Sequence, residues 1–179
     1  MTKITQTEAS DTLELIAPLT EQERHEIDHL LKHYPVAAGA SIDALKIIQK
    51  HQGWVSDSAL KALALHMKLP VADLESVATF YNQIFRKPVG KVRIHPCNGI
   101  SCMLMGYRKV QQQLSQKLTI GEGETTENNI FTLISHPCLG ACDKAPVIRI
   151  NDTLHEYVNV DEIDTIISNL SEAHGNIDG

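Results

Sequence analysis

The chain has 179 residues, of which 42% are hydrophobic and 21% charged, and its formal net charge is -6. This composition indicates a soluble globular protein of one domain or two small ones. The negative charge disfavours nucleic acid or an anionic membrane as the main partner, since both attract basic surfaces. The sequence offers no apolar run for direct membrane insertion and no secretory signal. We therefore expect a cytoplasmic protein, in which cysteines stay reduced.

The first half of the sequence has a helical pattern. Residues 1–18 are polar and lack periodicity, which indicates a flexible N-terminal arm. Thr20 and Glu23 then fit a capping box, in which each side chain satisfies a free backbone donor of the other residue. The spacing of apolar residues beyond this box predicts a small helical bundle over residues 19–87. Its helices are predicted to begin near Thr20, Ser41, Asp57 and Pro70, and the second of them to end at Gly53.

The periodicity changes after the helical domain. Val92 and Ile94 alternate with polar residues and predict a short strand that Pro96 ends. The order strand, helix, strand, strand, strand, helix follows over residues 88–171, and a frayed tail is expected over residues 172–179. The later elements are predicted at residues 104–118 (helix), 130–135, 147–150 and 154–157 (strands) and 163–170 (helix).

All the cysteines of the chain lie in two short segments, HPCNGISC and HPCLGAC. Four residues separate Cys97 from Cys102, three separate Cys138 from Cys142, and 35 residues lie between the pairs. Two structural disulfides are a weak explanation in a reducing compartment. Four thiols grouped in this way instead indicate a single four-thiolate metal centre.

The predicted topology gives a reason for the two segments to meet. A strand–helix–strand unit of this length most often has two parallel strands joined by a right-handed crossover. Cys97 follows the first of these strands and Cys138 the second, so both segments should leave the same edge of the sheet. Gly99 and Gly140, one in each segment, allow the backbone to bend close to a ligand.

The spacing leaves two kinds of metal centre open. Tetrahedral zinc usually has two to four residues between paired ligands, and the spacings of these two pairs are acceptable for zinc but not typical of it. A thioredoxin-type redox pair needs Cys-x-x-Cys, which neither pair has. A Rieske centre needs two histidine ligands, but four cysteines already complete the set, and we interpret His95 and His136 as strand-end residues. A [2Fe–2S] cluster takes one thiolate pair per iron and ranks first, with zinc second.

The motifs resemble those of the small thioredoxin-like [2Fe–2S] subunit of bacterial respiratory complex I, the NuoE type. The resemblance extends from about residue 23 to residue 170. It rests on Gly53-Trp54-Val55, Val77-Ala78-Thr79-Phe80-Tyr81, Pro88-Val89-Gly90-Lys91 and Cys138-Leu139-Gly140-Ala141-Cys142, together with the first cysteine pair.

The resemblance implies an α+β chain in which a small helical bundle precedes a thioredoxin-like [2Fe–2S] ferredoxin domain. It implies Cys97, Cys102, Cys138 and Cys142 as the ligands of one [2Fe–2S] cluster. Because thioredoxin-like folds often require it, we also expect a cis peptide bond before Pro146.

The resemblance also implies a role as a one-electron carrier in NADH:quinone oxidoreductase, with no substrate turnover by this chain alone. Its partners would be the flavin-bearing, NADH-oxidising subunit (NuoF type), which would bind FMN and NADH, and the large iron–sulfur subunit (NuoG type). The complex would hold the chain on the cytoplasmic side, peripheral to the inner membrane. Open alternatives are the equivalent subunit of an NAD-linked hydrogenase or formate dehydrogenase, and a zinc-stabilised interaction module without a redox role.

Overall fold

A computed structural model of the chain describes residues 19–175; the arm predicted over residues 1–18 and the last four residues lie outside the described part. The chain divides between Pro88 and Val89 into two compact units. The division falls where the sequence pattern changes from helical to alternating.

The first unit is helical. Its described residues form four α-helices around one hydrophobic core, in which Ile27, Leu45, Leu63 and Leu74 are fully buried. The helices are α1 (Glu21–Leu31), α2 (Ser41–Gln52), α3 (Asp57–Met67) and α4 (Val71–Phe80), with a 3₁₀ helix (Ala37–Ala40) before α2.

The helix ends of the first unit follow local sequence signals. The capping box predicted for α1 is confirmed: the Glu23 amide donates to Thr20 Oγ1 over 3.2 Å, and the Thr20 amide donates to the Glu23 carboxylate over 2.8 Å. Helix α2 ends at Gly53 as predicted, with φ +81°. The start predicted at Asp57 is confirmed, with Ser56 as the N-cap of α3, whereas Pro70 precedes α4 as its N-cap, one residue before the helix begins.

The second unit contains a four-stranded mixed sheet in the order β2-β1-β3-β4. Strands β1 and β2 pair in parallel, as predicted, with Val92 opposite Phe131, whereas β3 runs antiparallel to both β1 and β4. The strands are β1 (Val92–Pro96), β2 (Phe131–Leu133), β3 (Ile148–Ile150) and β4 (Thr153–His155); the helices are α5 (Ile100–Leu104), α6 (Tyr107–Leu118) and α7 (Val160–Gly175).

Two predictions for the second unit are wrong. The single helix expected over residues 104–118 is interrupted at Gly106, which has φ +110° and is the N-cap of α6. The short helix α5 before this break contains Cys102. At the C-terminus α7 continues to Gly175, so the tail expected from residue 172 begins within a helix.

The peptide bond before Pro146 is cis, as predicted. Within residues 19–175, no helix has the length and apolar character needed to cross a membrane.

Candidate metal centre

The first cysteine pair is buried, with Cys97 directly after β1 and Cys102 in α5. Cys97 and Cys102 are 3% and 1% exposed, and the Cys97 amide donates to the carbonyl of Val147 on the neighbouring chain segment over 3.1 Å. Burial raises the pKa of the Cys102 thiol, and a backbone hydrogen bond from Val147 opposes this rise. The first pair therefore offers two sulfur atoms in a protein environment with little solvent.

The second cysteine pair is exposed. The sulfur atoms of Cys138 and Cys142 lie 4.0 Å apart, and the Gly140 amide between them donates to Cys138 Sγ over 3.4 Å. Gly140 has φ +81°, a conformation that favours glycine and that turns its amide towards the sulfur. Cys142 begins a 3₁₀ helix, Cys142–Lys144. This pair is arranged as a tight turn with a backbone donor for thiolate charge.

The two cysteine segments are in direct contact, which confirms the prediction from topology. Cys97 bridges to His136 in parallel register, and the amides of Asn98 and His136 donate to the carbonyls of His136 and Pro96, each over 2.9 Å. A side chain at Gly99 would place its Cβ 2.8 Å from the Pro137 carbonyl oxygen. The pairs also interact electrostatically, since negative charge on Cys97 and Cys142 raises the pKa of the Cys102 thiol.

The two histidines that precede the cysteines are engaged with backbone. His95 is 1% exposed, and its Nδ1–H donates to the Ile134 carbonyl over 2.9 Å. Burial lowers the pKa of His95 to about 4, with the nearby positive charge of Arg149 acting in the same direction. His136 Nδ1 accepts from the Cys138 amide over 3.3 Å. These contacts agree with the interpretation of both histidines as strand-end residues.

Sequence reasoning missed one hydrogen-bonded group beside the cysteines. Tyr107, at the start of α6, belongs to the same buried cluster as Cys97 and Cys102, and its hydroxyl lies 2.8 Å from Ser135 Oγ. Ser135 in turn donates to the carboxylate of Glu122. No local pattern connects these residues, because they come from a helix start, a strand end and a turn.

The donor set fits a [2Fe–2S] cluster. All four thiols are free, and soft thiolates select zinc or iron–sulfur centres among metals. The thiols stand as two pairs, one in each of the two contacting segments. A binuclear cluster takes one thiolate pair per iron. Fold and site thus define the class of protein, an iron–sulfur protein built on a thioredoxin-like sheet.

Comparison with known proteins identifies the family. The family model described as thioredoxin-like [2Fe-2S] ferredoxin matches residues 27–171. The chain therefore belongs to the thioredoxin-like [2Fe–2S] ferredoxin family, and the resemblance drawn from its motifs is confirmed.

The chain is similar to two bacterial proteins that have the same name. The chain is 45% identical over 145 residues to the E subunit of NADH-quinone oxidoreductase from Pseudomonas aeruginosa, in a match that covers 81% of this chain and 87% of the relative. It is 43% identical over 149 residues to the protein of that name from Escherichia coli K12, with 83% and 90% covered. The similarity thus extends over nearly the whole length of both relatives.

A solved structure shows the same fold within a longer chain. The crystal structure of an NAD+-reducing [NiFe]-hydrogenase in the air-oxidised state matches with a TM-score of 0.63 and 21% identity. The match covers 75% of this chain but only 23% of the hydrogenase chain. At this identity the likeness concerns the fold alone.

Proposed function

We propose that this chain is the one-electron carrier subunit of an NADH:quinone oxidoreductase, with Cys97, Cys102, Cys138 and Cys142 as the ligands of one [2Fe–2S] cluster. The observation that carries this proposal is the contact between the two cysteine segments at one sheet edge, which brings two thiol pairs together. The helical domain over residues 19–87 and the cluster domain over residues 88–171 are its proposed parts.

The residues around the cysteines would bind the cluster and affect how easily it accepts negative charge. When bound, the cluster accepts and gives up one electron at a time, with a formal charge of about -2 oxidised and -3 reduced. The amide of Gly140 donates to Cys138 Sγ and so stabilises negative charge there. Burial of Cys97 and Cys102 opposes added negative charge. The ammonium group of Lys144, near the exposed pair, forms an ion pair with the carboxylate of Glu156 at 2.6 Å.

NADH oxidation is assigned to a partner. The Gly121-Glu122-Gly123 turn lacks the third glycine of the dinucleotide fingerprint and precedes a strand rather than opening a helix. The chain would therefore receive single electrons from the flavin-bearing, NADH-oxidising subunit (NuoF type), which binds FMN and NADH, and would also lie near the large iron–sulfur subunit (NuoG type). In this assembly the chain would be a peripheral subunit on the cytoplasmic side of the inner membrane.

The relatives favour this parent complex over the alternatives. Identities of 43–45% connect the chain to the E subunit of NADH-quinone oxidoreductase, whereas the hydrogenase likeness supports only the fold. Neither comparison favours a zinc-stabilised interaction module. Co-purification of the chain with its neighbours distinguishes a quinone-linked complex from a hydrogenase or formate dehydrogenase.

The ligand assignment is tested by metal analysis of the purified chain. We expect two irons and two acid-labile sulfides per chain, and a paramagnetic signal that appears only on reduction. Cys138→Ser should strongly lower the iron content, whereas Ser101→Ala, next to Cys102 in α5, should leave it unchanged. A colourless protein with one tightly bound zinc, or equal iron loss in both variants, would contradict the proposal.

A further inference from the structure

We propose that Glu122 lowers the reduction potential of the cluster through Ser135 and Tyr107, by holding the Tyr107 hydroxyl hydrogen away from cysteine sulfur. The inference rests on the proposed function, since it assumes that the cysteines bind a [2Fe–2S] cluster. Glu122 touches none of the four cysteines in this arrangement and acts as a positioning residue.

The hydrogen-bond directions follow from the donors and acceptors present. The Glu122 carboxylate accepts from the Ser135 amide over 2.5 Å, from the Ser135 hydroxyl over 2.8 Å and from the Gln111 side-chain amide over 3.0 Å. Because a serine hydroxyl has one hydrogen, and Ser135 donates it to Glu122, the contact between Ser135 and Tyr107 must run the other way. Tyr107 therefore donates its hydroxyl hydrogen to Ser135 Oγ, at 2.8 Å.

The position of Tyr107 connects this chain of hydrogen bonds to the buried thiols. Tyr107 is 6% exposed and packs in one buried cluster with Cys97 and Cys102. Burial raises the pKa of Tyr107, and together with the negative charges of Glu122 and Cys97 it outweighs the lowering effect of the hydrogen bond with Ser135, so the phenol keeps its hydrogen at neutral pH. The phenol is thus a hydrogen-bond donor in the buried cluster that contains the first cysteine pair, and its one hydrogen is directed to Ser135.

The direction of the Tyr107 hydrogen bond affects the stability of the reduced cluster. Hydrogen bonds to sulfur stabilise the more negative reduced cluster and raise its reduction potential. While Glu122 accepts the Ser135 hydrogen, Tyr107 donates to Ser135 and gives sulfur no such bond. Without the carboxylate, Ser135 can donate to the Tyr107 oxygen instead, which frees the Tyr107 hydrogen inside the buried cluster that contains Cys97 and Cys102.

The test measures the midpoint potential of the loaded protein in a redox titration followed by electron paramagnetic resonance. Glu122→Ala should shift the potential to a more positive value. Glu124→Ala is the matched control, because Glu124 lies in the same turn and its carboxylate accepts a backbone hydrogen bond from the Gly121 amide over 2.6 Å. We expect the control to keep the potential of the unsubstituted protein.

A double-mutant cycle separates the hydrogen-bond route from simple charge removal. In a Tyr107→Phe background there is no hydroxyl to release, so Glu122→Ala should no longer shift the potential. An unchanged potential in Glu122→Ala, an equal shift in Glu124→Ala, or an undiminished shift in the Tyr107→Phe background would each overturn the inference.

A second variant covers the case in which Glu122→Ala fails to hold its cluster. Ser135→Ala removes the acceptor of the Tyr107 hydrogen directly and should also shift the potential to a more positive value; no shift would refute the inference. Iron content and the reduced-state signal of the unsubstituted protein test the proposed function separately, because neither depends on Glu122.

Discussion

Gly99 offers a direct test of how closely the two cysteine segments must approach. Its φ of -63° suits any residue, so alanine meets no backbone strain there. The added Cβ would instead lie 2.8 Å from the Pro137 carbonyl oxygen and 3.5 Å from Cys97 Sγ. Carbon–oxygen contacts are usually no shorter than about 3.3 Å, so Gly99→Ala must push the segments apart by roughly 0.5 Å.

The expected cost of this substitution is that of inserting a methyl group into a packed site, about 1–3 kcal/mol. If the whole cost fell on cluster retention, the cluster would be lost about 5- to 150-fold faster. The assay is the decay of cluster absorbance in the presence of an iron chelator, at a temperature well below the unfolding transition. We expect Gly99→Ala to lose its cluster markedly faster than the unsubstituted protein.

Gly90→Ala is a matched control in the same unit. There the added Cβ would lie 2.6 Å from the Ile130 carbonyl oxygen, a comparable backbone clash at the start of β2 rather than between the cysteine segments. We expect a lower free energy of unfolding but an unchanged rate of cluster loss below the transition. Equal cluster loss in the two variants, or normal retention in Gly99→Ala, would refute the argument that this close approach holds the pairs together.

Two further predictions concern the stability of the two units and the effect of pH on the first unit. Leu114→Ala, at a fully buried position against the sheet, should lower the free energy of unfolding of the second unit by about 2–5 kcal/mol, measured in denaturant. Burial acts to raise the pKa of Glu23, but hydrogen bonds from Thr20 and Gln52 together outweigh burial and lower that pKa in the folded chain. The stabilisation by Glu23 is therefore complete at a pH above its pKa in the unfolded chain, and it is lost as the pH falls through its pKa in the folded chain. Glu23→Gln should therefore destabilise the first unit by about 1 kcal/mol at pH 7 and weaken its acid sensitivity. Fluorescence of Trp54, the single tryptophan, reports this unit, and an unchanged acid transition would contradict the assignment.

The sequence predicted those parts of the fold and of the site that depend on local signals and on one topological rule. The capping box at Thr20 depends on residues three apart, and the contact between the cysteine segments follows from parallel pairing of β1 and β2. The break at Gly106 could not be predicted in this way, because Tyr107, Val110 and Leu114 continue the helical spacing, and the left-handed conformation of Gly106 is not evident from that spacing.

The hydrogen bonds of Glu122 could not be predicted from the sequence, for a different reason. The chain from Glu122 through Ser135 to Tyr107 joins residues up to 28 positions apart, and each lies in a different kind of local structure. Periodicity describes which face of one element is buried, but it carries no information about polar pairs between elements. From the sequence, Glu122 is therefore an ordinary turn residue, and only the folded chain places its turn beside the end of β2.

The two His-Pro-Cys segments pair with one another where β1 and β2 end. Only three residue pairs join β1 to β2 within the strands, but the pairing continues beyond them: His95 Nδ1–H donates to the Ile134 carbonyl, and the His136 amide donates to the Pro96 carbonyl. A slip of one residue would shift the strands by about 3.3 Å and break both bonds. It would also remove Cys97 from its position opposite His136, two residues before Cys138. The His95 side chain and the His136 backbone amide thus help to fix the register at which the two thiol pairs meet.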